Sequence, residues 1–231
     1  MQIIISLNGP NNILPVETEL RDYLLASKNN SILEKILYPL LSTFERKIPL
    51  NIIMGEKDWR YRDWVLNKTE NLFDNVNIFY AKNCITQIQS IEAFINNTTL
   101  NETDDFLVIP KDTIISKSFF DKIKKDKHSI ELGLGTFRSN NPKYGYILKD
   151  SGRIIFSADR VISDLAFNGV YLFKNISLLK KIISYGPQER LLFDIFAHLG
   201  EEVKITLLEA LPQTVTTLDD LTEYTAQLNG L

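Results

Sequence analysis

Asp105-Phe106-Leu107-Val108-Ile109-Pro110-Lys111-Asp112-Thr113-Ile114-Ile115 is the stretch whose reading decides the fold. Phe106 to Ile109 has the length and β-branched content of a strand buried on both faces, and Pro110 ends it. Lys111 and Asp112 then stand beyond the carboxyl end of a strand, where open α/β sheets bind nucleotides and metals. Asp112 has two readings at this point: a binding acid at the strand end, or a cap for the helix suggested by Ser116 to Lys125.

Upstream, β and α patterns alternate. Ile3 to Leu7 is a short apolar strand broken by the turn formers Asn8-Gly9-Pro10-Asn11-Asn12. Leu20 to Leu25 and Ser31 to Leu41 carry apolar residues at helical spacing, and Ser31 with Glu34 makes a capping box. Pro49 to Met54 reads as a strand, Trp59 to Phe73 as a helix, Val76 to Tyr80 as a strand and Thr86 to Ile95 as an amphipathic helix. Such alternation predicts an α/β fold, a mainly parallel sheet covered on both sides by helices.

Downstream of Lys127 the pattern changes to strands separated by turns. Ile130 to Phe137, Tyr144 to Lys149, Arg153 to Ser157 and Leu165 to Phe173 are the segments, and Asp150-Ser151-Gly152 is a hairpin signal between two of them. A helix from Glu189 to Leu199 stopped by Gly200, a strand from Val203 to Leu208 and a helix from Leu218 to Leu228 complete the chain. With no repeat, linker or low-complexity tract, the 231 residues read as one domain.

Composition bounds the function. The chain is 44% apolar and 24% charged with a formal net charge of −3, which gives no electrostatic footprint for nucleic acid. The run Lys122, Lys124, Lys125 and Lys127 reads as a solvated helix face. A single cysteine, Cys84, permits no internal disulfide, and His128 and His198 are isolated, so no structural-zinc spacing exists. A reducing cytoplasm is the expected setting, because the first residues lack a charged start and a long apolar region, and no run reaches membrane-span length.

Three stretches carry a resemblance. They are Asn141 to Ile154 (NPKYGYILKDSGRI), Val161-Ile162-Ser163-Asp164, and Asn168-Gly169-Val170-Tyr171-Leu172-Phe173. With the element order, they resemble the middle of sugar-phosphate nucleotidyltransferases encoded with bacterial capsule and lipopolysaccharide genes. That resemblance spans nearly the whole chain. It implies a three-layer αβα, Rossmann-like nucleotide-diphospho-sugar transferase fold with a mixed, mainly parallel sheet. It also implies a cleft that takes a nucleoside triphosphate or nucleotide sugar and a sugar phosphate, and it leaves a homo-oligomer open. By the same resemblance Asp112 falls where the family holds catalytic magnesium (Mg2+), with Lys111 beside it. Gly9 and Asn11 lie in the phosphate loop, Gln87 at the nucleotide base, and Asn168 and Gly169 at the sugar. Thr217 to Tyr224 is similar to the helix that closes the fold.

Departures from the family pattern bear on activity. The loop after strand one is Leu7-Asn8-Gly9-Pro10-Asn11-Asn12-Ile13, in which Pro10 removes an amide donor and the first arginine is Arg21. The family's lysine after that loop has its nearest counterpart at Arg21 or Asp22, and Arg21 is the candidate to supply the catalytic charge, with different geometry. The second magnesium aspartate falls near Thr214, and the Glu-Lys pair after the hairpin becomes Ala158-Asp159 or Asp159-Arg160. Transfer chemistry rests on positioning and charge stabilisation, so these losses imply either a divergent enzyme or a binding protein that keeps the pocket. A glycosyltransferase is disfavoured because Lys111-Asp112 replaces paired aspartates.

Three further features have modest structural readings beside functional ones. Gly55 to Trp64, rich in aromatics and charge, offers a stacking surface, although tryptophans anchoring a core and arginines paired with acids is the favoured reading. Gln87 presents an amide to a base edge, with a helix cap by Thr86 or Asn83 as the alternative. Cys84 reads as a small hydrophobe, and His198 as a structural histidine on an apolar helix.

Overall fold

Strand β1 (Gln2–Ser6) lies between two parallel neighbours, β4 (Leu50–Gly55) and β6 (Phe106–Pro110), and sends alternate side chains to opposite faces. Ile3 and Ile5 join one apolar cluster and Ile4 the other. Leu107 and Ile109 of β6 follow the first pair, while Phe106 and Val108 follow Ile4. This two-sided burial is why the strands read as unbroken apolar runs.

The computed structural model describes residues 1–9, 14, 20–27, 30–150, 153–158, 160–186, 192–196, 203–210, 212–214, 220 and 222. Short strands β2 (Ala26–Ser27) and β3 (Asn30–Ser31) pair with each other before helix α1 (Ile32–Thr43). After β4 come a 3-10 segment (Glu56–Tyr61), α2 (Arg62–Thr69), β5 (Val76–Ala81) and α3 (Gln87–Asn97). Beyond β6 lie β7 (Thr113–Ile115), α4 (Lys117–Asp126), β8 (Leu132–Arg138), β9 (Tyr146–Asp150), β10 (Arg153–Ser157) and β11 (Leu165–Phe173). The remaining described elements are α5 (Ile176–Tyr185), α6 (Leu192–Phe196), β12 (Ile205–Glu209) and β13 (Pro212–Thr214).

The main sheet runs β5-β4-β1-β6-β11-β8-β12, with the β9–β10 hairpin attached to β11. Parallel pairing joins β5, β4, β1 and β6, and β11 enters antiparallel between β6 and β8. β12 is parallel to β8. Helices α1, α2 and α4 cover one face and α3, α5 and α6 the other, as the two apolar clusters record. The sheet is therefore mixed and the architecture three-layered. No helix among the described residues is long and apolar enough to cross a membrane.

Most expected elements form close to their expected bounds. The Ser31–Glu34 capping box is present in both directions, and Thr86 caps α3 with Gln89 as its reciprocal partner. Three differences stand out. Leu20 to Leu25 makes a 3-10 turn (Asp22–Leu24) instead of a helix, because the Asp22 carboxylate is buried in tertiary contacts and β2 follows at once. The segment from Trp59 divides into a 3-10 turn and α2, because buried Asp58 is drawn inward to Arg21. Helix α5 is absent from the expectations, although Asn175 caps it and Ile176, Leu179, Ile182 and Ile183 give it an apolar face. His198, the flanks of α6 and nearly all of the closing helix lie outside the described residues, as do Ser151 and Gly152 between β9 and β10.

Candidate active site

Three neighbouring strand ends build the site. β1 ends at Ser6 opposite Pro110 of β6, and β11 lies against the other side of β6. Gly169, at the irregularity in β11, has φ +87, and a Cβ placed on it would stand 2.7 Å from Pro110 Cγ. Thr113 Oγ1 donates to the Asn168 carbonyl at 3.0 Å. The end of β1, the acid after β6 and the Asn168–Gly169 irregularity are thus adjacent.

Asp112 does not cap α4. Ser116 holds the N-cap position, and Asp112 sits in the turn between β6 and β7, with Thr113 as a side-chain hydrogen-bond partner. Burial raises its pKa above the ordinary carboxylate value, against the opposing pull of the Lys111 ammonium and local hydrogen bonds. Lys111 is itself buried, which lowers its pKa, while Asp22 and Asp112 act to raise it. Its Nζ lies 3.8 Å from Asp22 Oδ2, and Asp22 Oδ1 accepts from the Leu14 amide at 3.1 Å.

A second ion pair lies on the neighbouring strand end. Asp58, just past β4, is 1% exposed and accepts from Arg21 Nε through Oδ1. Its Oδ2 has no hydrogen-bond partner among the described residues and faces Gly55 and Asn8. The Tyr23 hydroxyl, also buried without such a partner, has its pKa raised by burial first and then by Asp58. Asp58 is not a candidate on sequence, although it is an acid that follows a strand end, and Asp22 enters the sequence reading only as the alternative to Arg21.

The other expected residues are placed as follows. Gly9 has φ +140, and a Cβ there would meet nothing within 4 Å among the described residues, so backbone conformation favours glycine. Asn11 lies outside the described residues. Gln87 accepts the Leu192 amide through Oε1 at 3.3 Å, which ties α3 to α6 and leaves its Nε2 as the remaining donor group. The Asn168 side chain turns against Gly135 and accepts from the Val170 amide, and its buried Nδ2 has no partner among the described residues. Cys84 is half-buried, and burial raises its thiol pKa. A separate concavity of about 570 Å³ lies between the start of α4 (Ser118, Lys122) and the ends of β8 and β12 (Arg138, Glu209), and none of the expected site residues lines it.

Among the described residues no group of three His, Cys, Asp or Glu side chains is placed to hold a metal. Asp22 faces Lys111 and Asp58 holds Arg21, while Asp112 has no ion-pair contact within 4 Å among the described residues. That set fits a divalent cation taking one protein carboxylate and completing its shell with water and phosphate oxygens, as magnesium commonly does, and does not fit an all-protein cage.

The raised pKa of Asp112 gives a test of its setting. A carboxyl that binds its proton more tightly folded than unfolded favours folding at low pH and loses that contribution as pH rises through the folded pKa. Urea unfolding from about pH 3 to about pH 7 should therefore show Asp112→Asn gaining stability relative to the parent as pH rises. A constant difference across that range would remove the buried-acid reading.

No protein-family model matches the chain, and no curated protein matches it in sequence. Solved structures do match in fold. A nucleoside-diphosphate-sugar pyrophosphorylase from Vibrio cholerae RC9 superposes with a TM-score of 0.77 at 16% identity, over 98% of this chain and 100% of that one. A putative glucose-1-phosphate thymidylyltransferase from Bacillus anthracis, in complex with a sucrose, gives 0.77 at 14% identity over 100% and 96%. The inositol-1-phosphate CTP transferase from T. maritima gives 0.73 at 15% over 99% and 94%. The expected nucleotide-diphospho-sugar transferase fold is the fold of this chain.

Proposed function

We propose that the protein binds a nucleotide sugar, or a nucleoside triphosphate with a sugar phosphate, in the cleft beyond β1, β6 and β11, with nucleotidyl transfer attenuated. One observation carries this reading: Arg21 and Lys111, the cations at the strand ends, are each paired with a buried aspartate, Asp58 and Asp22. Transfer needs preorganised charge aimed at the oxygens where charge develops. A cation already neutralised at close range offers hydrogen bonds to a bound phosphate but less net field to a transition state.

Asp112 supplies the specific observation for a second reading, an active enzyme, since its carboxylate lacks an ion-pair partner among the described residues. When bound, magnesium would neutralise phosphate charge there; Asp112 would hold it, Lys111 would orient a phosphate, and Asn168–Gly169 would line the sugar side. Assembly of a bacterial capsule or lipopolysaccharide is the pathway that the resemblance of residues 141–173 favours.

Calorimetric titration with nucleotide sugars, run beside pyrophosphate release from nucleoside triphosphates, hexose 1-phosphates and magnesium, tests the proposal. Binding with turnover far below the ~10 s⁻¹ typical of enzymes is the expected result. Turnover near that value, abolished by Asp112→Ala, would replace it with the enzyme. Failure to bind any member of either panel would reject both.

A further inference from the structure

Trp59 has no task in the site described so far. Its side chain is 69% exposed, whereas Trp64 packs against the core with the Lys68 ammonium 5.7 Å from its ring centre. The expectation that both tryptophans anchor the core therefore holds for Trp64 alone. Two more exposed apolar side chains stand nearby in the topology. Trp59 and Ile85 follow closely on the ends of β4 and β5, paired strands about 5 Å apart, and Leu20 precedes Arg21. Side-chain contacts bind those segments together. Arg21, next to Leu20, pairs with Asp58, next to Trp59; Asn8, past β1, donates to the carbonyl of Cys84, next to Ile85, at 3.5 Å.

We propose that Trp59 is the stacking platform for the base of the bound nucleotide, with Leu20 and Ile85 flanking it. The inference rests on the nucleotide-binding reading above and adds a positioning residue to it. The donors at the strand ends favour this occupant over a protein: Arg21, held by Asp58 past β4, and Lys111, past the nearby β6, are paired cations that offer hydrogen bonds to phosphates attached to a flat apolar body. Three side chains are also far fewer than the 20–30 residues a side that a stable protein interface uses. An indole ring matches any base through its π face, so the platform fixes the position of the base without choosing among bases.

Trp59 and Trp64 are the two tryptophans of the chain, so Trp64→Phe leaves Trp59 as the only indole fluorophore. In that background UDP and CDP should each quench the emission saturably, and ribose 5-phosphate, which has no base, should not. By calorimetry on the otherwise native protein, Trp59→Ala should weaken UDP roughly tenfold and Trp59→Phe should restore most of the affinity. Ribose 5-phosphate should bind the native protein and Trp59→Ala alike. Unchanged UDP affinity in Trp59→Ala overturns the platform and leaves nucleotide binding standing. No UDP or CDP binding to the native protein rejects nucleotide binding and the platform with it. A dimer that Trp59→Ala dissolves assigns the rim to a second copy and overturns the platform.

Discussion

Arg21→Ala should lower the unfolding free energy by about 3 kcal/mol, measured as a shifted urea midpoint at unchanged slope. The reason is the carboxylate it leaves behind. Asp58 is 1% exposed, and one of its oxygens already lacks a hydrogen-bond partner among the described residues. Removing the guanidinium would strand a buried charge, and the 22% exposure of Arg21 places the cost at the lower end of the range for broken buried pairs. Arg21→Met with Asp58→Leu should recover most of the loss, since replacing both partners by apolar groups is often neutral. A loss below about 1 kcal/mol for Arg21→Ala would mean that the pair behaves as a solvated surface bridge. The proposed attenuation of transfer would then lose its physical basis, because Arg21 would be available to a substrate.

Gly169→Ala should cost about 3 kcal/mol, from two sources that add. A non-glycine residue at φ +87 pays roughly 1–2 kcal/mol for the left-handed backbone, and the new methyl would come within 2.7 Å of Pro110 Cγ, a ring with little freedom to move. For a chain of this size the loss corresponds to roughly 10 °C in melting temperature. Gly9→Ala serves as the comparison. It also carries a positive φ, +140, but nothing among the described residues lies within 4 Å of its Cβ position, so it should lose only the backbone share. Equal losses at the two positions would show that contact with Pro110 contributes nothing. The position matters beyond stability because Pro110 leads directly into Lys111 and Asp112, and a methyl at Gly169 pushes on the turn that holds them.

Local patterns in the sequence determined the alternating strands and helices, the turn at Asp150, the caps at Ser31 and Thr86, and the placement of Asp112 beyond a strand end. Periodicity and capping act within a few residues, so they leave a trace in sequence. The same locality hides α5, whose apolar face follows directly on the apolar strand β11. It also made Leu20 to Leu25 look helical, although Asp22 is fixed by Leu14 and by Lys111, which is 89 positions away. Only tertiary structure could decide that Arg21 would be held by Asp58, that Asn168 would turn toward Gly135, and that one tryptophan would pack against the core and the other stand exposed. Those outcomes depend on which strand ends become neighbours in the sheet, and charges meeting across 37 or 89 residues carry no spacing rule for a linear reading to detect.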